Sequence, residues 1–166
     1  PSQIVTDNAN GADQAINGYT YNRRRLPVGE TVAMGAELWE LNSSYSANGH
    51  LAGHTYPSGL SVPYAPNALG QPTQAGTYAT AVSYFPDGAI KQFTYGNGIV
   101  HSLVQNARGL PARSRDAHGP VAFHDDSLDY DANGNVLAIR DGRAGGRGNR
   151  DMAYDALDRL VSTGSP

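Results

Sequence analysis

The chain has 166 residues, about one domain's worth, of which 16% are charged, with a net charge of −3, a pI near 5.9, 20 Gly, 10 Pro, 10 Tyr and no Cys. That balance offers no basic footprint for nucleic acid or an anionic membrane, and the lack of Cys leaves neither a disulfide framework nor a thiolate metal cluster. No apolar run approaches the 18 or so residues of a membrane-spanning helix, which argues against membrane insertion.

The opening PSQIVTDNANG has neither an initiator Met nor the charged-then-apolar layout of a signal peptide, and reads as part of a longer chain. Residues 1–44 carry a degenerate repeat whose mark is YNRRRL at Tyr21. In VAMGAELWEL, the best helical candidate, Gly35 favours a turn feeding a strand. That strand, ELWELNSSY, alternates: Trp39, Leu41, Ser43 and Tyr45 share one face, with Glu40, Asn42 and Ser44 on the other.

Two long repeat copies follow, over residues 45–83 and 84–122. YSANGHLAGHTYPSGLSVPYAPNALGQP from Tyr45 aligns without a gap on YFPDGAIKQFTYGNGIVHSLVQNARGLP from Tyr84, an offset of 39 residues (84 − 45). Tyr45, Gly49, Tyr56 and Gly59 match Tyr84, Gly88, Tyr95 and Gly98, and Thr55, Asn67, Ala68, Gly70 and Pro72 match Thr94, Asn106, Ala107, Gly109 and Pro111. The glycines mark turns at every tenth or eleventh residue, the cadence of β-hairpins. Between them YATAVSY alternates, with Tyr78, Thr80, Val82 and Tyr84 facing one way. The expected fold is all-β, a continuous array of repeated antiparallel strand hairpins.

Residues 123–166 complete the array. His118, His124, Asp125, Asp126 and Asp129 form a polar run that reads as a solvated loop. Asp129, Asp131, Asn133 and Gly134 then spell the first half of a calcium loop, but its twelfth position is Arg140, where such a loop needs a bidentate carboxylate. The same residues describe a hairpin turn, since Asp bonds its own backbone and Asn-Gly accepts positive φ. The turn is the stronger reading, and Asp129, Asp131 and Asn133 stay as a weak metal candidate. GRAGGRGNR, residues 142–150, has the glycine content of a phosphate loop but no G-K-[ST] ending, and reads as an extended basic tip.

Tyr130, Asp131, Gly134, Asn135 and Val136, and again Tyr154, Asp155, Asp158, Arg159 and Leu160, follow the pattern Tyr-Asp-x-x-Gly-Asn-Val and Tyr-Asp-x-x-Asp-Arg-Leu. This resembles the YD repeat of Rhs proteins, Tc toxin C subunits and teneurins. The middle copies resemble Rhs repeats whose Asp positions have become Ser46, Pro57, Phe85 and Gly96. The resemblance implies hairpins wound into a spiral β shell that encapsulates a toxic C-terminal domain in an exported or cell-surface bacterial protein. The family's C-terminal core segment, linked to self-cleavage, is absent from this sequence, so no catalytic residue carries over.

No nucleophile, base and orienting group converge by spacing, so the chain reads as non-enzymatic and without a cofactor. Its expected partners are the remainder of the shell or neighbouring copies, and a toxin cargo. The alternative is a surface or fibre module gripping glycans or neighbouring copies through tyrosines and open strand edges.

Overall fold

A computed structural model describes residues 2–6 and 14–165. Among them there is no helix, and the chain is all-β, made of antiparallel hairpins. It divides into two units, residues 1–77 and 78–166, a boundary inside the first long repeat copy. The first unit holds β1 (Gln3–Thr6), β2 (Ala15–Tyr21), β3 (Pro27–Met34), β4 (Glu37–Tyr45), β5 (Leu51–Thr55) and β6 (Ser61–Pro63), side by side in chain order. The second holds β7 (Ala79–Tyr84), β8 (Ile90–Tyr95), β9 (Val100–Gln105), β10 (Pro111–His118), β11 (Val121–Tyr130), β12 (Val136–Asp141), β13 (Arg150–Tyr154) and β14 (Leu160–Gly164), again in chain order.

Most strands are joined by one turn design. At Ser46 the N–H of Gly49 donates to the Ser46 carbonyl (2.9 Å) and the Ser46 N–H donates to the His50 carbonyl (2.8 Å). The same two bonds close the turns that open at Asn22, Tyr56, Asn67, Phe85, Tyr95, Asn106, Asp131 and Asp155. The fourth residue is always left-handed, from Asp158 at φ 59 to Gly134 at φ 99. This is a tight turn followed by a bulge, and the register shifts beside Tyr21, Tyr45, Tyr84, Tyr130 and Tyr154 are its mark on the ladder. Gly35 (φ 59), by contrast, opens a two-residue turn between Met34 and Glu37, so VAMGAELWEL is a hairpin.

Side chains complete the turns in two ways. An Asn or Asp in first position accepts from N–H groups inside the turn, as Asn106 Oδ1 does from Arg108 (2.9 Å) and Leu110 (3.1 Å), and Asp155 Oδ1 from Leu157 (2.9 Å) and Arg159 (3.0 Å). Where the first residue is Phe85 or Tyr95, the third serves: Asp87 accepts from Ala89 (3.0 Å) and Asn97 from Ile99 (3.2 Å). Pro57 and Gly96 therefore do not stand where the Asp of the signature stands. Tyr56 and Tyr95 do, because their glycines follow at three residues rather than four.

Alternate turns are also linked to one another. Arg24 donates to the carbonyls of Ala47 (2.7 Å) and Asn48 (3.4 Å), its guanidinium lying against Gly49. The His50 ring covers Gly70, and Arg108 lies beside Gly134 while donating to the Asp131 carbonyl (2.6 Å). Asn133 and Asn135 donate to Asp158 Oδ1 (2.9 and 2.7 Å). At Gly49, Gly70 and Gly134 a side chain of one turn thus rests where the next turn on the same edge has no Cβ.

The 39-residue copies share all three turns and then differ. In the second copy β9 runs to Gln105 and leads into β10, whereas β6 stops at Pro63. Pro63 and Pro66 have no N–H to give a ladder, and Ala65 is left-handed (φ 43). YATAVSY does not alternate throughout: Ala81 is left-handed (φ 53), and Thr80 and Ser83 pair with Thr94 and Gln92, which places Thr80 and Ser83 on one face. The bulge moves Val82 off the face expected for it.

Each sheet is one layer. Among the described residues no large side chain is fully buried, and the buried apolar residues are Val62, Ala117 and Ala138.

Two outcomes follow from the turns. Gly59 (φ 81) and Gly164 both have open space where a Cβ would go, but only Gly59 is left-handed. Gly59→Ala should cost about 1 kcal/mol and lower the melting temperature by about 3 °C, while Gly164→Ala should cost nothing; equal melting curves would remove the turn conformation as a stabilising element. The second outcome concerns acid. The backbone N–H groups of Ala89 and Arg159 hold the carboxyls of Asp87 and Asp155 below the usual carboxylate range, and the Asn135 amide does so for Asp131. A lowered folded pKa gives stability that is present above the unfolded value near 4 and lost as pH falls through the folded value. The melting temperature should therefore drop below about pH 4. In the double variant Asp131→Asn, Asp155→Asn that drop should be shallower, and parallel acid curves for variant and parent would contradict the capping role.

Candidate functional site

The tyrosines preceding the turns form a ladder. Tyr45 donates its hydroxyl to the Pro27 carbonyl (2.8 Å), Tyr130 to Pro111 (2.7 Å) and Tyr154 to Val136 (3.1 Å). In each case the acceptor is the first residue of the strand that leaves the preceding turn on the same edge. Burial raises the Tyr130 pKa, as expected for a hydroxyl that serves as a neutral donor. Tyr21 and Tyr84 hold the equivalent place before their turns. Tyr56 and Tyr95, one residue later, pack on neighbouring rings instead: Tyr56 edge-on to His54 (6.2 Å) and Tyr95 edge-on to Phe93 (4.7 Å). Gly49, Gly59, Gly88, Gly98 and Gly134 are the left-handed residues of the turns beside these tyrosines.

Of the residues proposed for a metal, Asp131 spends both carboxylate oxygens inside its own turn. Asp131 Oδ1 accepts from the N–H groups of Gly134 and Asn135 (2.8 Å each), and Oδ2 accepts from the Asn135 amide (2.9 Å). Asn133 turns its amide to Asp158. Asp129 sits in β11 opposite Ala138, and Arg140, at the twelfth position, pairs with Asp151 at 2.5 Å. No group of three or more His, Asp or Glu placed to hold a metal occurs among the described residues.

The polar run at 124–129 is a strand, not a solvated loop. Asp125 and Asp126 are buried in β11 and, as neighbours on a strand, point to opposite faces. Asp125 takes a bidentate pair from Arg113 (Nε and Nη2, 2.7 Å each) with Arg115 at 3.5 Å, and the Arg113 guanidinium holds its carboxyl below the usual range. Asp126 stands opposite Asp141 in the ladder and receives Arg150 Nη2 (2.8 Å). The pairing is incomplete, since Asp126 Oδ1 and Arg150 Nε are buried without a partner. The readable signal was PARSRD, whose Arg113 and Arg115 lie two apart and so face one carboxylate across the hairpin.

The Gly/Arg segment is not an extended tip. Asp141, its side chain 1% exposed, accepts from the N–H of Arg143 (3.1 Å), the N–H of Arg147 (2.5 Å) and the Arg143 guanidinium (3.1 Å), which together drive its pKa far down. The loop so folded covers an edge. Pairing of β11 with β12 stops at Asp126, and beyond that point Gly142 N–H donates to the Asp125 carbonyl (2.7 Å) and Arg143 Nη1 to the Phe123 carbonyl (2.6 Å). An arginine takes the place of the missing strand.

No family model matches this sequence, and no curated protein matches it. The structure is similar to the crystal structure of TcdB2–TccC3, with TM-score 0.80 and 14% identity over 98% of this chain and 11% of that one. The same complex without its hypervariable C-terminal region gives TM-score 0.80 and 13% identity over 98% and 10%. The Photorhabdus luminescens Tc holotoxin pore gives 0.81 and 13% over the same shares. The chain spans about a tenth of the length of these proteins, and the likeness establishes its fold: stacked antiparallel hairpins of the kind found in Tc toxin components.

Proposed function

We propose that this chain is a non-catalytic wall segment of a larger β shell of the Rhs/YD-repeat type, which encloses a toxic C-terminal domain and helps deliver it from an exported bacterial protein. On this reading the repeats at 1–44, 45–83, 84–122 and 123–166 are successive courses of one wall. The observation that carries it is the single layer: each unit is one sheet, and among the described residues the buried apolar side chains are only Val62, Ala117 and Ala138. Hydrogen bonds within and between turns hold the strands, while apolar side chains such as Leu38, Tyr78, Val104 and Phe123 stay open to solvent. Such a sheet is built to be covered by more of the same array or by its contents.

A second reading, a glycan-gripping surface module, draws on a concavity of about 440 Å³ lined by Tyr19, Tyr21, Tyr45, Glu30 and His54. The Tyr45 hydroxyl is already spent on Pro27, and Ser43 and His54 bond each other at 3.1 Å, which leaves that concavity few polar groups for a sugar.

The purified chain should bind a dye specific for exposed apolar surface while showing the circular dichroism of a β protein, and should self-associate as its concentration rises. A folded monomer that neither binds the dye nor associates would overturn the wall reading. Saturable binding on a glycan array, lost in Tyr19→Ala, would favour the second.

A further inference from the structure

β4 is paired on one side only along most of its length. It pairs with β3 from Glu37 to Asn42, but with β5 only from Asn42 to Tyr45. Among the described residues, Glu37–Leu41 therefore presents a free strand edge. The second unit covers the equivalent stretch of β11 with the Gly/Arg loop after β12, whereas β5 is followed by the tight turn at Tyr56. The side chains here are unspent as well: Leu38 is 63% and Trp39 44% exposed, and Met34 is open across the hairpin.

The charge is equally one-sided. Every glutamate of the chain, Glu30, Glu37 and Glu40, lies on this hairpin. None enters an ion pair among the described residues, where all the ion pairs belong to the second unit. Register puts Glu30 opposite Leu41 and Glu37 opposite Met34, so Glu30, Glu37 and Trp39 share one face and Leu38 and Glu40 the other.

We propose that this edge receives an extended strand from a partner polypeptide that carries Lys or Arg opposite Glu37 and Glu40, with apolar residues opposite Leu38, Trp39 and Leu41. Main-chain bonds to the free edge supply the affinity and the alternating side chains the selectivity. A cation near Trp39 also meets the ring face. A second copy fits poorly. Self-pairing through one edge keeps the faces matched: centred on Trp39 it sets each carboxylate opposite a leucine, centred on Leu38 it sets Glu37 opposite Trp39, and centred on Glu40 it sets carboxylate against carboxylate, where like charges directly opposite destabilise a ladder.

Trp39 is the one tryptophan in the chain, so its fluorescence reports on this edge alone. The probes are a peptide with the core Lys-Val-Tyr-Lys-Val, its reversed sequence, the Glu-for-Lys version, and versions N-methylated at alternate residues so that one or the other backbone edge cannot donate. They are titrated into the chain at a concentration where sedimentation shows one species. One lysine peptide should shift and saturate the Trp39 emission, weaken at least fivefold between 50 and 300 mM salt, and fail when methylated on one edge but not the other. Glu37→Gln with Glu40→Gln should weaken it at least tenfold with circular dichroism unchanged, whereas Asp151→Asn should leave it unaltered. Equal binding of both methylated forms would reduce the contact to a loose charge attraction and overturn the strand. Emission that shifts with chain concentration alone would assign the edge to a second copy and overturn the partner. No shift with either lysine peptide would overturn the site while leaving the wall reading to its own test.

Discussion

One left-handed residue, at the fourth position of a five-residue turn, sets the geometry of both sheets. It lets the chain reverse within the span of a single bulge, so successive strands stay antiparallel and in chain order, and it brings every second turn to the same edge. Glycine takes this position because it reaches positive φ without strain. It has a second use here, since the missing Cβ makes room for Arg24, His50 or Arg108 to cross from the turn before. Asp158 shows what a side chain in that place must do. It accepts the strain and in return receives the amides of Asn133 and Asn135, linking two turns that would otherwise be joined by a guanidinium.

Stabilisation in this arrangement is mostly local. A solenoid-like array of hairpins gains from each turn and from each turn-to-turn link, with little long-range packing to add. That explains why the tyrosine ladder spends its hydroxyls on strand-initial carbonyls: at Pro27 and Pro111 the chain has just left a turn, and the carbonyl needs a donor that no neighbouring strand supplies. It also explains the buried ion pairs of the second unit. A single layer has no second sheet to exclude water, so Asp125 and Asp126 are screened by arginine stems and loop backbone. Such pairs are weak sources of stability, and the unpartnered Asp126 Oδ1 and Arg150 Nε leave part of their desolvation cost unmet.

The hairpin cadence was legible because glycine at a fixed step has few explanations other than a turn. The all-β class and the sharing of one face by Trp39, Leu41 and Ser43 followed from a period of two. What was hidden depended on the third dimension. Tyr56 and Tyr45 look alike in the alignment, yet one extra residue before Gly49 sends Tyr45 to a carbonyl and leaves Tyr56 at the head of its turn. HDDS reads as a loop on polarity alone, and only the arginines across the hairpin make a buried strand of it. The Gly/Arg segment gives no periodicity from which to infer that Asp141 would gather it. The bulge at Ala81 and the break after Pro63 lie inside stretches whose composition matches their neighbours, although two prolines three residues apart were a usable warning for the second.

The two units handle the same difficulty differently. Each contains a hairpin longer than the strand that follows it, β3–β4 over β5 and β10–β11 over β12, and each therefore exposes half an edge. In the second unit an insertion of glycines and arginines bends back and satisfies the carbonyls of Phe123 and Asp125 from within the chain. In the first, the tight turn at Tyr56 after β5 returns directly and leaves Glu37–Leu41 open, with every glutamate the chain possesses on that hairpin. An open edge of ELWEL composition is a hazard unless something discourages pairing at random, and carboxylates on both of its faces do that against strands like itself. The same carboxylates make the edge selective for a strand of opposite charge, so protection against the wrong neighbour and recognition of the right one rest on Glu37 and Glu40 together.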